Sequence, residues 1–188
     1  TVTIKPASTV AIVGCGGVGI NSIQGAVHSG AARIIALDLL DEKLTLAHQF
    51  GATHSVNSGR PNGVEQVLAL TDGRGVDYVF VTVGVKAAIE QSLSLLAKSG
   101  TAVIVGMPAS GVLAEFDPAA LAANGQSLIG SKMGSASVKR DIPKLAALYQ
   151  SGDLRLDELI SKRYVLDEIN EAIASVKRGE ALRNVVIF

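Results

Sequence analysis

The sequence has a single cysteine, no excess of charge of either sign and no long apolar run, and each shortage closes off a class of protein. One thiol, Cys15, cannot form an intrachain disulfide or a cysteine-rich zinc site, and it fits a reducing compartment. The 17 basic and 17 acidic side chains balance without a block of either sign, which leaves no electrostatic footprint for nucleic acid or an anionic membrane. No apolar stretch approaches the roughly 18 residues needed to span a bilayer, and no charged segment followed by an apolar one opens the sequence. A soluble, cytoplasmic protein without nucleic-acid or membrane partners is expected. At 188 residues the chain suits one domain with an appendage, and can bury a core without staples.

What the sequence does have is concentrated in residues 10–19, Val-Ala-Ile-Val-Gly-Cys-Gly-Gly-Val-Gly. Four apolar residues read as a buried strand, and Gly14, Gly16 and Gly19 then form G-x-G-x-x-G where a helix should begin. In such a turn the first glycine permits the tight bend, the second lets backbone approach a pyrophosphate, and the third lets helix and strand pack closely. The anion sits on free N–H groups at the positive end of the helix. Alone the pattern is weak, because glycine-rich turns also serve plain packing and other nucleotide ligands, methyl-donor cofactors among them. The next unit strengthens it. A helix over 17–29 is closed by Gly30, an apolar strand follows over 33–37, and it ends in Asp38, 19 residues beyond Gly19. That is the separation at which an acid meets the adenosine ribose hydroxyls, although a helix N-cap is the plainer role for Asp38. Lys43, a cation near the positive end of the following helix, is a candidate second ribose contact, with a solvated lysine as the alternative. Cys15 reads as a small filler of the turn rather than a reactive thiol.

Strands are expected over 54–57, 76–83, 100–106 and 127–131, and helices over 41–50, 64–71, 86–97, 118–123 and 138–149. Residues 1–9 read as a short strand and turn. The tail holds a strand within 158–165, an amphipathic helix over 167–177 and a last apolar strand over 184–188. Alternating strands and helices imply an α/β fold, a Rossmann-type doubly wound parallel sheet of about six strands with its ligand crevice at the carboxyl ends of the strands. The expected division is 1–152 for the nucleotide-binding domain and 153–188 for a C-terminal segment.

Residues 10–19, Asp38 with Lys43, Phe50-Gly51-Ala52-Thr53, Gly75-Val76-Asp77-Tyr78, Val105-Gly106-Met107-Pro108, residues 130–134 and the closing residues 182–188 together make the chain similar to the zinc-containing, medium-chain alcohol dehydrogenase superfamily. The resemblance implies an NAD-binding domain in which Gly16, Gly17 and Val18 face the pyrophosphate and Asp38 and Lys43 hold the ribose. It implies that Val83, Gly84, Val105, Gly106, Met107, Ser131 and Met133 lie near the nicotinamide half. It also implies that Arg183 reaches back to the pyrophosphate, where an exposed terminal arginine is the plainer reading.

In that superfamily the catalytic zinc ligands and the four-cysteine structural lobe lie mostly ahead of the glycine motif. With only His28, His48, His54 and Cys15 to offer nitrogen or sulfur, this chain is expected to hold no metal and no catalytic residue of its own; zinc belongs to the full-length parent. The resemblance further implies that the tail returns to the catalytic domain, so that its strands either pack back or leave an apolar edge. The leading reading is therefore the NAD-binding part of a zinc-dependent alcohol or aldehyde dehydrogenase, inactive by itself and a homodimer through its edge strand. A stand-alone NAD-binding or redox-sensing module is the alternative from another class, and a methyltransferase is a third, against which the tail motif speaks.

Overall fold

The computed structural model describes residues 1–188 and separates into two compact units, Thr1–Ser135 and Ala136–Phe188. The first unit is built on β1 (Thr9–Val13), every residue of which is buried. A strand can be this uniformly apolar only if both of its faces and both of its edges are covered, and β1 lies between β2 (Arg33–Asp38) and β4 (Val76–Val81). With β3 (His54–Asn57), β5 (Leu96–Ile104) and β6 (Ser127–Gly130) these strands form one six-stranded sheet, parallel throughout, in the order β3-β2-β1-β4-β5-β6. The edge strands β3 and β6 are each four residues long and carry polar or small residues at their ends, as suits an edge.

The chain runs outward from β1 to β3 through α1 (Gly17–His28) and α2 (Asp41–Gln49). It returns across the sheet through α3 (Gly63–Ala69) to β4, then runs outward the other way through α4 (Lys86–Ser92) and α5 (Pro118–Ala123). The direction reverses between β1 and β4, which opens a crevice at their carboxyl ends. Beneath it, Ala11, Val13, Ile35, Leu37, Val56, Val67, Val79, Val81 and Leu95 form a buried apolar layer. Each fully buried aliphatic side chain of this kind contributes about 1.5–3 kcal/mol.

The six-strand Rossmann reading holds, and some element boundaries move. Residues 1–8 form no strand; they lead into β1 through a turn at Ala7, whose N–H donates to the Gly30 carbonyl. The fourth strand ends at Val81 rather than Val83: Thr82 still donates its N–H to Val13 O at 2.9 Å, but its hydroxyl and the Val83 side chain pack on the glycine turn. Helix α4 stops at Ser92 and passes through a 3₁₀ turn, Leu93–Leu95, so that β5 begins at Leu96 and not at Gly100. Leu96 pairs with Val76 ahead of a register shift that resumes at Tyr78–Thr101.

The second unit holds α6 (Val138–Gln150) and a crossover motif of β7 (Ile160–Val165), α7 (Ile169–Lys177) and β8 (Arg183–Ile187). The two tail strands pair with each other, in parallel. The Asn184 side-chain amide donates to Ala172 O and Ser175 Oγ, pinning β8 to α7. Val138, Ile142, Leu145 and Tyr149 of α6 and Ile173 and Val176 of α7 remain exposed.

Candidate functional site

The site begins where β1 runs into α1. Gly14 turns the chain with φ +93°, a conformation that L side chains resist, and its N–H donates to Leu37 O at 2.7 Å. A Cβ on Gly19 would stand 1.8 Å from the Gly14 carbonyl oxygen, and one on Gly14 would stand 2.4 Å from Val83 Cγ1. Packing alone therefore requires glycine at both positions. Gly16 is different: a Cβ there would meet nothing within 4 Å. No steric contact requires glycine there. Gly16 is also the N-cap of α1, with no side chain capping the helix and no acid in its first turn, so the N–H groups that follow lie uncapped at the positive end of the helix dipole. Such a terminus can receive an anion.

Thr82, which sequence reasoning passed over, braces this turn. Its hydroxyl lies 2.8 Å from Gly14 O and 3.0 Å from Val13 O, so the residue that follows β4 holds the turn in place.

Asp38 ends β2, half-buried, with one N–H on each carboxylate oxygen: Cys15 N–H on Oδ2 at 2.7 Å and Leu40 N–H on Oδ1 at 3.1 Å. It does not cap α2, because Leu40 precedes that helix and the first-turn donors are left alone. An ionised carboxylate has about four lone-pair sites, so both oxygens retain capacity for hydroxyl donors. The same carboxylate acts on Cys15. Burial first, then the charge of Asp38, push that thiol up to about 12, with Lys43 opposing. Buried and neutral, with Sγ 3.7 Å from Leu37 O, it fills space.

A cleft of about 540 Å³ opens from the glycine turn, with Gly14, Asp38, Lys43 and Val83 among its walls. Leu39, Leu40 and Ser58 line it at one end and Val85, Ala87, Ala88 and Gln91 at the other. Its volume is in the range of small-molecule and cofactor sites. Four residues singled out from the sequence thus meet in one cavity. The others lie elsewhere. Gly84 and Gly106 serve close packing: a Cβ on Gly84 would stand 2.2 Å from Met107 O, and one on Gly106 would stand 2.3 Å from the carbonyl carbon of Val83. The N–H groups of Val105 and Gly106 share Val81 O, each at 2.9 Å, while the Met107 side chain is exposed. Ser131, at the end of β6, is buried and bonded through Oγ to Thr1 Oγ1 at 2.8 Å; Met133 beyond it is 89% exposed. Arg183 opens β8 in the second unit, exposed and paired in register with Ile160. The α4 contribution to the cleft was missed because a seven-residue helix whose first two positions are exposed carries little periodic signal.

The metal-binding side chains do not converge. His48 is bonded to Ala52 O and Ser55 Oγ, His54 to Thr53 Oγ1, Cys15 is buried, and no three His, Cys, Asp or Glu side chains come together in an arrangement that could hold a metal ion.

Residues 17–151 match the family model described as zinc-binding dehydrogenase. The NDMA-dependent alcohol dehydrogenase of Amycolatopsis methanolica is 34% identical over 98% of this chain and 50% of its own length. The geraniol dehydrogenase of Carpoglyphus lactis is 37% identical over 96% of this chain and 48% of its own length. The crystal structure of benzyl alcohol dehydrogenase from Acinetobacter calcoaceticus superimposes with a TM-score of 0.93 at 36% identity, covering 97% of this chain and 50% of that one. The chain spans about half the length of the curated relatives it matches.

Proposed function

The chain belongs to the zinc-binding dehydrogenase family, and from that membership we propose that it is the NAD-binding part of a zinc-dependent alcohol or aldehyde dehydrogenase, in which hydride passes between an alcohol and NAD. The observation that carries the proposal is the cleft at the β1/β4 reversal, whose walls include Gly14 at the bend of the glycine turn and the Asp38 carboxylate with its free lone pairs, together with the uncapped N-terminus of α1, whose N-cap Gly16 lies two residues beyond Gly14. These are the two chemistries a dinucleotide needs, an anion cradle and a hydroxyl acceptor.

In this reading the N–H groups of Gly16, Gly17 and Val18 receive the pyrophosphate, with Gly16 bare so that phosphate can approach the backbone. Asp38 accepts the ribose hydroxyls, and Lys43 supports it with positive charge. Val83, Gly84, Val105, Gly106, Met107, Ser131 and Met133 serve the nicotinamide half, and Arg183 the pyrophosphate. When bound, NAD supplies the hydride acceptor; this chain's residues bind it, orient it and exclude water from its adenosine half. Zinc is a different matter. The donor set of this chain does not fit it, so no chemical step is assigned to zinc here, and the metal, the alcohol substrate and proton transfer belong to the remainder of a full-length enzyme. The division proposed is 1–152 for cofactor binding and 153–188 for a segment whose exposed apolar residues meet that remainder.

Amide chemical-shift mapping tests the reading. NAD should move the resonances of Gly16, Gly17, Val18 and Leu40 first. Shifts confined to other elements, or none at millimolar NAD, would contradict it.

A further inference from the structure

Outside the groups just described, a charged network lies at the Leu39–Ser58 end of the cleft. Asp41, the first residue of α2, receives the Arg60 guanidinium on Oδ2, with Nη2 at 2.7 Å, and the Asn57 side-chain amide on Oδ1, also at 2.7 Å. Asn57 is itself fixed, donating to Leu39 O at 3.2 Å and accepting from Gly59 N–H at 2.9 Å. Ser58 N–H donates to Asp38 O at 3.0 Å. The turn at 57–60 is thereby stitched, strand by strand, to residues 38–41, which carry the candidate ribose acceptor. An exposed ion pair between two free side chains is loose. Here the carboxylate is anchored by Asn57, whose hydrogen bond is also the leading cause of the lowered Asp41 pKa, so the acid stays charged and stays in place. The guanidinium is a planar fork suited to phosphate, and, 65% exposed, it already spends Nη2 on Asp41.

We infer that Asp41 is a positioning residue for dinucleotide choice: by holding Arg60 on its own carboxylate, it withholds that arginine from a ribose 2′-phosphate and so reinforces preference for the unphosphorylated cofactor. The inference rests on the reading of the cleft as a dinucleotide site with Asp38 at the ribose. It makes Asp38 the repulsive element and Asp41 the group that removes an attractive one.

Calorimetric titration of NAD and NADP into the wild-type chain, Asp41→Ala, Arg60→Ala and the double variant separates the possibilities. Asp41→Ala should tighten NADP roughly tenfold and leave NAD within about twofold, since the freed guanidinium gains a phosphate and loses only an exposed pair. Arg60→Ala should change neither ligand, because the arginine is already engaged. The double variant should return to the wild-type ratio, and the gain in Asp41→Ala should shrink as salt rises. If wild type binds NAD but Asp41→Ala leaves the ratio unchanged, the inference falls and the cofactor reading stands. A gain that survives in the double variant also overturns it, because removal of the Asp41 charge alone would then explain the effect. Failure of the wild-type chain to bind either dinucleotide overturns both.

Discussion

Two glycines of one motif should fail in opposite ways when each becomes alanine. At Gly19 the new Cβ would stand 1.8 Å from the Gly14 carbonyl oxygen and 3.1 Å from Thr82 Oγ1. The nearer neighbour is backbone, and its oxygen is held by the Thr82 hydroxyl at 2.8 Å, which the new Cβ would also crowd, so the turn cannot yield without straining that bond. Overpacking costs about 1–3 kcal/mol and loss of the hydroxyl bond about 1 kcal/mol more. Gly19→Ala should therefore lose about 2–4 kcal/mol of stability. At Gly16 a Cβ meets nothing, and φ −76°, ψ −169° is open to any residue. Gly16→Ala should keep its stability to within about 0.5 kcal/mol, the unfolded-chain gain and the lost N-cap preference nearly cancelling. Its damage should appear in binding, because the methyl group occupies the approach that a pyrophosphate would use; a tenfold or greater loss of NAD affinity, about 1.4 kcal/mol or more, is expected. Urea unfolding and calorimetry on the same samples give both numbers. A Gly16→Ala chain that binds NAD like wild type, or a Gly19→Ala chain as stable as wild type, would refute the assignment of packing to one glycine and ligand approach to the other.

Three further outcomes follow from named groups. Cys15, with its pKa pushed up to about 12, should have about one thiolate in ten thousand at pH 8 and react with a disulfide reagent only as fast as the chain unfolds; immediate labelling of the native protein would contradict its burial. At Asp77 burial raises the pKa, but the Arg74 hydrogen bond, the Thr9 N–H and the charges of Arg74 and Lys5 outweigh it, and the net shift is downward. Its stabilising contribution is then present above its unfolded pKa of about 3.9 and is lost as pH falls through the lower folded value, so Asp77→Asn should lower the urea midpoint at pH 7 and match wild type at acid pH. A deficit of equal size at both pH values would argue against the linkage. The edge strand β6 should join a second copy, and light scattering at micromolar concentration should give twice the 19.3 kDa chain mass, with the single mass counting against it.

The parts of the fold written locally were legible in the sequence. The run Val10 to Val13, the glycine turn and Asp38 are each dictated by neighbours within a few residues, and they fell where expected. Leu96 looked helical because its pairing to Val76 is decided by a strand 20 residues away, beyond a register shift that no local pattern announces. Thr82 was invisible for the same reason: a threonine at the end of a β-branched run gives no sign that its hydroxyl braces Gly14, 68 residues earlier. The tail strands read as orphans, since nothing in either one shows that the other is its partner.

Whether the cleft holds a dinucleotide with Asp38 on its ribose is decided by titrating NAD and NADP in parallel into the wild-type chain and Asp38→Asn. A 2′-phosphate would bring like charge to about 4 Å from the Asp38 carboxylate, worth about 4 kcal/mol at an effective dielectric near 20 and about 3 kcal/mol after screening, so wild type should prefer NAD by about a hundredfold. Asparagine keeps an acceptor oxygen for only one of the two N–H groups, Cys15 and Leu40, that Asp38 accepts on separate oxygens, loses the charge, and should close that gap to less than about tenfold, chiefly by weakening NAD. Equal wild-type affinity for the two dinucleotides would contradict the claim.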